Sequence, residues 1–494
     1  MSFQNHDAPR ANFIHSLKSL PRTVGLPLAA IGTLSSINAR AEDNSALLEI
    51  LQRKGVLSES EVATVQRELA ADNNDSASKI KISPSVTELK LYGDLRLRYQ
   101  HDNRDSQLDP FPVGAHQDRN EKDRSPSGSQ QSRWRFRLRL AADFKFGEQW
   151  FGGVELSTAQ ASDTGNQTFE NGFDDYNIYI SKAFLGWKPS EAFTLTAGKF
   201  TNPFYTTELV WDSDITPNGL AEVIKFDKLF AGEGESVFDK DGKAVAKKAE
   251  SPWELSLVAG QFIFDDNLEN NFDNDESTDA YLFQTQLVGS YKFGKDVKVT
   301  LAPGWLVENA GSLSGLQNSQ PFNDSPNVSG ATRNISLLLA PGDVSFKLAG
   351  HKAKFLWDFA YNLEGSKRYN DIYDLAAINQ HHETVDDIAF LAGFQFGENK
   401  KGGDWSLLAY YRQAGVSSID PNLNDSDFAA SRLNTRGIKA GLAYNFTDFA
   451  VGAVTYQYAW NLRDNLVGGQ ATGGAAIADS NDISILQVDF TLKF

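Results

Sequence analysis

RWRFRLRLAADFKF (133–146) is the stretch on which the fold turns. Trp134, Phe136, Leu138, Leu140, Ala142, Phe144 and Phe146 occupy one parity, and Arg133, Arg135, Arg137, Arg139, Asp143 and Lys145 the other. Successive side chains of a strand point to opposite faces, so this is one wholly apolar face backed by one almost wholly ionic face. A strand of that kind separates a nonpolar medium from water. ELKLYGDLRLRYQ (88–100) repeats the arrangement, with Leu89, Leu91, Gly93, Leu95, Leu97 and Tyr99 against Lys90, Tyr92, Asp94, Arg96, Arg98 and Gln100. The same period continues through WELSLVAG (253–260), AYLFQTQLVGSYKF (280–293) and DWSLLAYYRQAG (404–415) to the chain end, ILQVDFTLKF (485–494).

The totals agree with a membrane protein that hides its signal in alternation. Mean hydropathy is −0.39 and 41% of the 494 residues are hydrophobic, values ordinary for a water-soluble chain. No apolar run approaches the ~20 residues of a spanning helix. Lipid-facing and lumen-facing residues alternating along each strand average out in such totals. The 33 Phe and 15 Tyr suit strands with aromatic girdles at the interfaces. The absence of Cys excludes disulfides, thiol catalysis, Cys-ligated zinc and a lipidated Cys. A net charge of −17 argues against nucleic acid as a partner.

The connections alternate in length. Long polar stretches at 102–131, 161–174, 201–218, 265–279, 310–331, 364–384, 416–431 and 463–481 are separated by tight turns near Gly147-Glu148, Pro189-Ser190, Gly294-Lys295, Gly350-His351, Asn399–Gly403 and Thr447-Asp448. Short turns at one end and long loops at the other mark a transmembrane antiparallel β-barrel, here of about sixteen strands. The segment 231–252 breaks the parity: it should be short, yet it is long and rich in Lys and Gly. It reads as an insertion at the short-turn end or as a misassigned strand.

Before the barrel lie two other pieces. Lys18 and Arg22, the apolar run 24–37 and Ala39-Arg40-Ala41 form a secretory leader over 1–41. Residues 42–85 read as a short periplasmic α-helical segment and linker, with Ser58 and Glu61 as a capping box and Val62, Val65, Gln66 and Leu69 at helical spacing. So short a segment buries little surface alone, which suggests either a self-packed hairpin or an oligomerisation element. The barrel is expected over 86–494.

AGKFTNPFYTTELVWDSDITPNGLAE (197–222) carries Gly198-Lys199, Asn202-Pro203-Phe204 and the run Trp211-Asp212-Ser213-Asp214-Ile215-Thr216-Pro217-Asn218-Gly219. It resembles the corresponding region of the Gram-negative putative porin family, and the likeness extends over the leader, the helical region and the barrel. The resemblance implies passive transport of small hydrophilic solutes or ions across the outer membrane. The expected surroundings are outer-membrane lipid, lipopolysaccharide and the barrel-assembly machinery, and a homotrimer is compatible with the pattern. The terminal face Leu486, Val488, Phe490, Leu492 and Phe494 resembles the signal that machinery reads.

Three features bear on selectivity. Lys90, Arg96, Arg98, Arg133, Arg135, Arg137, Arg139 and Lys145 should form a basic wall on adjacent strands, laddered at a spacing of about 5 Å. Like charges that close call for carboxylates, and Glu208, Asp212 and Asp214 in the third long loop are the candidates. With Asn202, Pro203, Phe204 and Trp211, that loop could fold inward as a constriction, because charges lining a pore set ion preference. The alternative is that the arginines only tie the wall together and the loop packs outside.

No cofactor is expected. The acidic loop 265–279 fits no EF-hand spacing, and His381-His382 with Glu383 and Asp386 fits a surface pair better than a metal site. A barrel enzyme of lipase or protease type would need a base from among His101, His116, His351, His381 and His382, none of which sits in a nucleophile motif. A barrel that anchors the envelope or binds a partner is the third reading.

Overall fold

The computed structural model describes residues 85–105, 129–159, 164–169, 172–173, 175–230, 235–238, 244–247, 251–265, 280–310, 335–369, 385–463 and 482–494. The leader, the helical segment, His116, the acidic stretch 266–279 and the pair His381-His382 lie outside them. Strands run in the order β1 (Glu88–Asp105), β2 (Ser129–Phe146), β3 (Trp150–Thr158), β4 (Gln167–Thr168), β5 (Ile178–Ser190), β6 (Phe193–Lys199), β7 (Asn218–Lys225), β8 (Glu235–Phe238) and β9 (Ala244–Lys247). They continue with β10 (Trp253–Asp265), β11 (Ala280–Phe293), β12 (Val297–Leu301), β13 (Gly304–Ala310), β14 (Ser336–Leu339), β15 (Gly342–Leu348) and β16 (His351–Asn362). The last are β17 (Ile388–Gly397), β18 (Trp405–Ala414), β19 (Thr435–Asn445), β20 (Ala450–Asn461) and β21 (Asp482–Lys493).

These make a closed barrel of sixteen antiparallel staves. Each neighbour pairs with the next, and β21 pairs with β1 to close the ring, Leu97 facing Phe490 and Asp94 facing Lys493. Two staves are broken into halves, β12 with β13 and β14 with β15, because Pro303 and Pro341 have no N–H for the ladder. The wall continues through both breaks, Leu287 donating to the Pro303 carbonyl (2.9 Å) and Ala302 to that of Pro341 (2.9 Å). The hairpin β8–β9 belongs to a separate two-stranded sheet. The connection from β7 to β10 is thus a true insertion at the short-turn end, opening with a single helical turn, Phe226–Leu229. The second short turn differs in detail from expectation: β5 runs through Pro189 and Ser190, and the chain reverses at 191–192.

Burial follows the alternation. On β1, Leu91 and Leu97 are 54% and 45% exposed while Arg98 and Asp102 are 3% and 2% exposed. Such inversion, with charge inside and apolar side chains outside, is stable only where lipid meets the outer face. Trp150, Trp253 and Trp405 stand exposed at the short-turn end of their strands, as amphipathic rings do at a membrane interface.

Two long connections turn into the barrel instead of away from it. Residues 200–217 leave from β6 and return to β7, and residues 415–434 link β18 to β19. Phe200, Phe204, Leu209, Val210 and Trp211 of the first share one buried apolar cluster with Ile419, Leu423, Phe428 and Leu433 of the second. The exit is made at Gly198 and Gly219, which face each other in register with φ of +116° and +147°. An added Cβ would stand 2.4 Å from the Ala183 carbonyl oxygen at Gly198 and 2.1 Å from that of Gln261 at Gly219, so only glycine fits this bend.

Candidate functional site: the basic wall and the inward loops

The pairing of β1 with β2 sets Arg96 opposite Arg137 and Arg98 opposite Arg135, with Asp94 facing Arg139 and Gln100 facing Arg133. Facing residues of an antiparallel pair share a side, so the arginines form a ladder on the inner wall. Lys90 and Lys145 lie lower on the same strands, and Lys145 pairs with Glu88 at 3.2 Å.

Acids neutralise most of the ladder. Arg98 is bidentate to Asp489 on β21 (2.7 and 3.0 Å) and also reaches Asp427 at 3.0 Å. Arg133 bonds Asp102 at 2.7 Å. Asp94 receives both Arg139 (2.8 Å) and Arg137 (3.2 Å), and Arg137 extends to Asp214 at 3.3 Å. Arg96 and Arg135 hold only amide oxygens among these partners, Asn166 at 2.7 Å and Gln100 at 3.3 Å, and each leaves a buried Nε without a partner. Among the described residues, the ladder therefore keeps two guanidiniums whose charge is not met by a bonded carboxylate.

The loop 200–217 crosses the interior and ties to wall after wall. Tyr205 exchanges two 2.8 Å bonds with the Gln286 side chain on β11, and its hydroxyl bonds Asp343 on β15. Thr207 bonds Asp358 on β16 at 2.8 Å. Glu208 accepts from Tyr410 on β18 (2.7 Å) and Lys439 on β19 (2.6 Å). Trp211 donates to Gln284 on β11 at 2.9 Å and stacks edge-on against Phe262. Asn202 caps the turn by accepting from the Phe204 N–H, 3.0 Å.

Of the three acids singled out in this loop, one meets the ladder. Asp214 does, through Arg137. Glu208 serves Lys439 instead, whose charge holds it below the usual carboxylate range although burial works against this. Asp212 accepts the backbone N–H groups of Asp214 (2.8 Å) and Ser426 (2.9 Å). Burial and the neighbouring Asp425 push its carboxyl up to about 8. The charge balance at the ladder comes mainly from Asp94, Asp102, Asp489 and Asp427. Burial works against Asp427 as well, and Arg98 and Lys439 hold it far below the ordinary range.

The second inward loop was read from sequence only as an external loop. Its apolar residues, Ile419, Leu423, Phe428 and Leu433, are the sequence signal for burial, because a solvated loop has no use for four of them. Arg412, fully buried, donates to the Glu208 carbonyl (3.3 Å) and to Asn424 (3.0 Å) and so fastens both loops to β18. The loops also bond each other, Asp212 N–H to the Leu423 carbonyl at 2.6 Å and Asp425 N–H to that of Glu208 at 3.3 Å.

Between the ladder and the return limb of the first loop lies a cavity of about 430 Å³. Arg137, Arg139, Glu155, Lys182, Lys199 and Asp214 bring its charges. Lys182 is neutralised by Glu155 at 2.9 Å, while Lys199 donates, among the described residues, only to the Thr216 carbonyl, 2.7 Å.

His101 Nδ1 lies 2.9 Å from Ser132 Oγ, exposed, and among the described residues no carboxylate bonds that ring. His351 packs against Phe396 and Trp405. Phe494 closes the barrel seam, exchanging backbone bonds with Gly93 at 2.8 and 3.1 Å, and Val488, Phe490 and Leu492 are exposed on the outer face. Leu486 pairs with His101 and Tyr456.

Solved structures similar to the chain include Salmonella typhi OmpF in complex with daunomycin, 11% identical, over 84% of this chain and 100% of that one, at a TM-score of 0.41. A mutant of the Rh. blastica porin is 9% identical over 82% of this chain and 100% of that one, TM-score 0.38. Outer-membrane expressed OmpT of Vibrio cholerae is 12% identical over 84% and 100%, TM-score 0.38. No curated protein matches the chain. The family model described as "Putative porin" matches residues 59–310, slightly more than half of the chain, and to that family of porins the chain belongs.

Proposed function

We propose that the chain is a passive diffusion porin of the Gram-negative outer membrane, passing small hydrophilic solutes or ions through a water-filled, charged lumen. The observation that carries this reading is the arginine ladder on the inner wall of a closed barrel, met at Arg137 by Asp214 of the inward loop beside a cavity that both line. Opposed charges at a narrowing create a transverse field, and such fields sort ions by sign. In this reading the short turns face the periplasm and the long connections face outward, the usual asymmetry of these barrels. The leader exports the chain, the terminal strand is read by the assembly machinery, and the exposed apolar belt meets lipid and lipopolysaccharide. The basic wall and the loop 200–217 then act together as the selectivity region.

Purified protein in a planar bilayer, under a salt gradient, tests it. A reversal potential that moves toward cation preference in Arg135→Gln/Arg137→Gln, and toward anion preference in Asp214→Asn, is the expected result. Conduction with the wild-type potential in both variants would reduce the ladder to a structural brace. Failure to conduct at all, together with hydrolysis of lipid or peptide substrates, would favour a barrel enzyme; silence in both assays would favour an envelope anchor.

A further inference from the structure

The described barrel carries a second basic cluster, far along the ring from the arginines and confined to the short-turn end. In the pairing of β11 with β12, Lys292 stands directly opposite Lys298. In that of β15 with β16, Lys347 stands directly opposite Lys352, and Ser345 faces both Lys298 and Lys354. These residues share the parity of Thr300, Asp343 and Asp358, which are buried in the interior. The opposite parity carries Leu301, Leu348 and Phe355, exposed on the outer face. The lysines are therefore on the inner register of four adjacent staves.

Like charges directly opposite one another destabilise a sheet. Two such rungs side by side need a counter-charge. The chain supplies part of it: Glu254 bridges Lys292 (3.4 Å) and Lys298 (2.7 Å), Asp296 holds Lys347 (2.9 Å), and Glu398 bridges Lys352 (2.8 Å) and Lys400 (3.3 Å). Seven lysines line the common cavity of about 440 Å³, against these three carboxylates. Lys354 and Lys295 have no ion pair among the described residues. The excess is several positive charges around one space, in a chain whose net charge is −17.

We infer that this cavity is a binding station for a compact, multiply charged oxyanion of the phosphate class. Ammonium groups are point charges with three donors each, suited to converge on a small oxyanion from several directions. A singly charged anion would leave most of the excess uncompensated. The volume admits a pyrophosphate or a small phosphorylated solute. As a binding site the cluster stands on its own geometry; as a station on a solute's route it rests on the porin reading above.

Full-chain protein folded in detergent, titrated calorimetrically with inorganic pyrophosphate at constant ionic strength, tests the site without requiring conduction. Saturable binding is expected. Lys292→Gln/Lys298→Gln and Lys347→Gln/Lys352→Gln should each weaken it at least tenfold, while Arg135→Gln/Arg137→Gln leaves it within twofold. Should either lysine pair fail to give the heat-modifiable gel band of a folded barrel, Lys354→Gln, whose ammonium bonds nothing else described, carries the same expectation. Binding no stronger than that of chloride, survival of binding in the lysine variants, or loss only in the arginine variant would each overturn the assignment. Conductance without pyrophosphate binding would remove the site and leave the porin; binding without conductance would leave the site and remove the porin reading, and with it the role as a station.

Discussion

Arg98 is the residue on which the inner wall is most heavily invested. It is 3% exposed and bonded to two carboxylates, Asp489 and Asp427, at sequence separations of 391 and 329. Removing one partner of a buried ion pair typically costs about 3–5 kcal/mol, because the remaining charge is left without compensation. Arg98→Gln should therefore lower the thermal transition of the folded band on a heat-modifiability gel well below that of wild type. Arg135→Gln, whose only side-chain acceptor among the described residues is Gln100, should shift it little. Equal shifts in the two variants would show that the ladder acts as one undivided block. That these arginines share a face was legible in the spacing of 133–139 alone. That Asp427 and Asp489 would answer them was not, since a contact across more than 300 residues leaves no mark on local periodicity.

At the scale of the element, the question is what keeps two loops inside the barrel. Trp211 is 3% exposed, bonds Gln284 and packs against Phe262. Its truncation to Ala should cost about 3–5 kcal/mol of docking, by the usual measure for a buried aromatic. Single-channel records of Trp211→Ala should show larger and noisier conductance while the barrel still migrates as folded. An unchanged record would mean that the loop is held without its aromatic anchor. The acids at the loop–loop contact add a pH dependence. Burial and the neighbouring Asp425 raise Asp212 to about 8, and burial, with Glu208 adding to it and Lys439 opposing, raises Asp425 to about 7. A docked carboxyl with a raised pKa binds its proton more tightly than the undocked one. The contact is thus at full strength below the ordinary value of 3.8, weakens as pH rises, and is weakest above about 8. Conductance fluctuations should grow between pH 5 and pH 9 in wild type. Asp212→Asn, which cannot titrate, should flatten that profile. If the wild-type trace is equally quiet across the range, the two acids do not govern docking.

For the whole molecule, closure is the decisive event, and it happens at Gly93. The Phe494 ring lies where a Gly93 side chain would be, with its Cε2 2.8 Å from that position and the Arg139 carbonyl oxygen 2.3 Å away. Gly93→Val should therefore block the seam between β1 and β21 and strongly reduce the yield of heat-modifiable barrel. Deletion of Phe494 should also reduce it, by removing two backbone bonds to Gly93. Normal yield from both variants would place the start of closure elsewhere. Residues 45–71 precede the first strand, and their removal should leave folding intact while altering oligomeric state on native gels. Loss of the folded band in that deletion would show the segment to be part of the barrel's assembly.

Period-two alternation from Leu89 onward and the long–short rhythm of connections were enough to read a closed antiparallel barrel of about sixteen staves from the chain alone. Both are local properties: each strand must satisfy lipid on one side and water on the other, and that demand is written residue by residue. The inner basic ladder followed from the same parity. The inward course of 415–434 did not, nor the pairing of Glu208 with Lys439 in place of the arginines. Those depend on register and on which distant carboxylate reaches which cation. Such contacts arise only when sixteen staves close and bring residues hundreds of positions apart to the same enclosed, poorly solvated space, where an unpaired charge is costly enough to choose its partner.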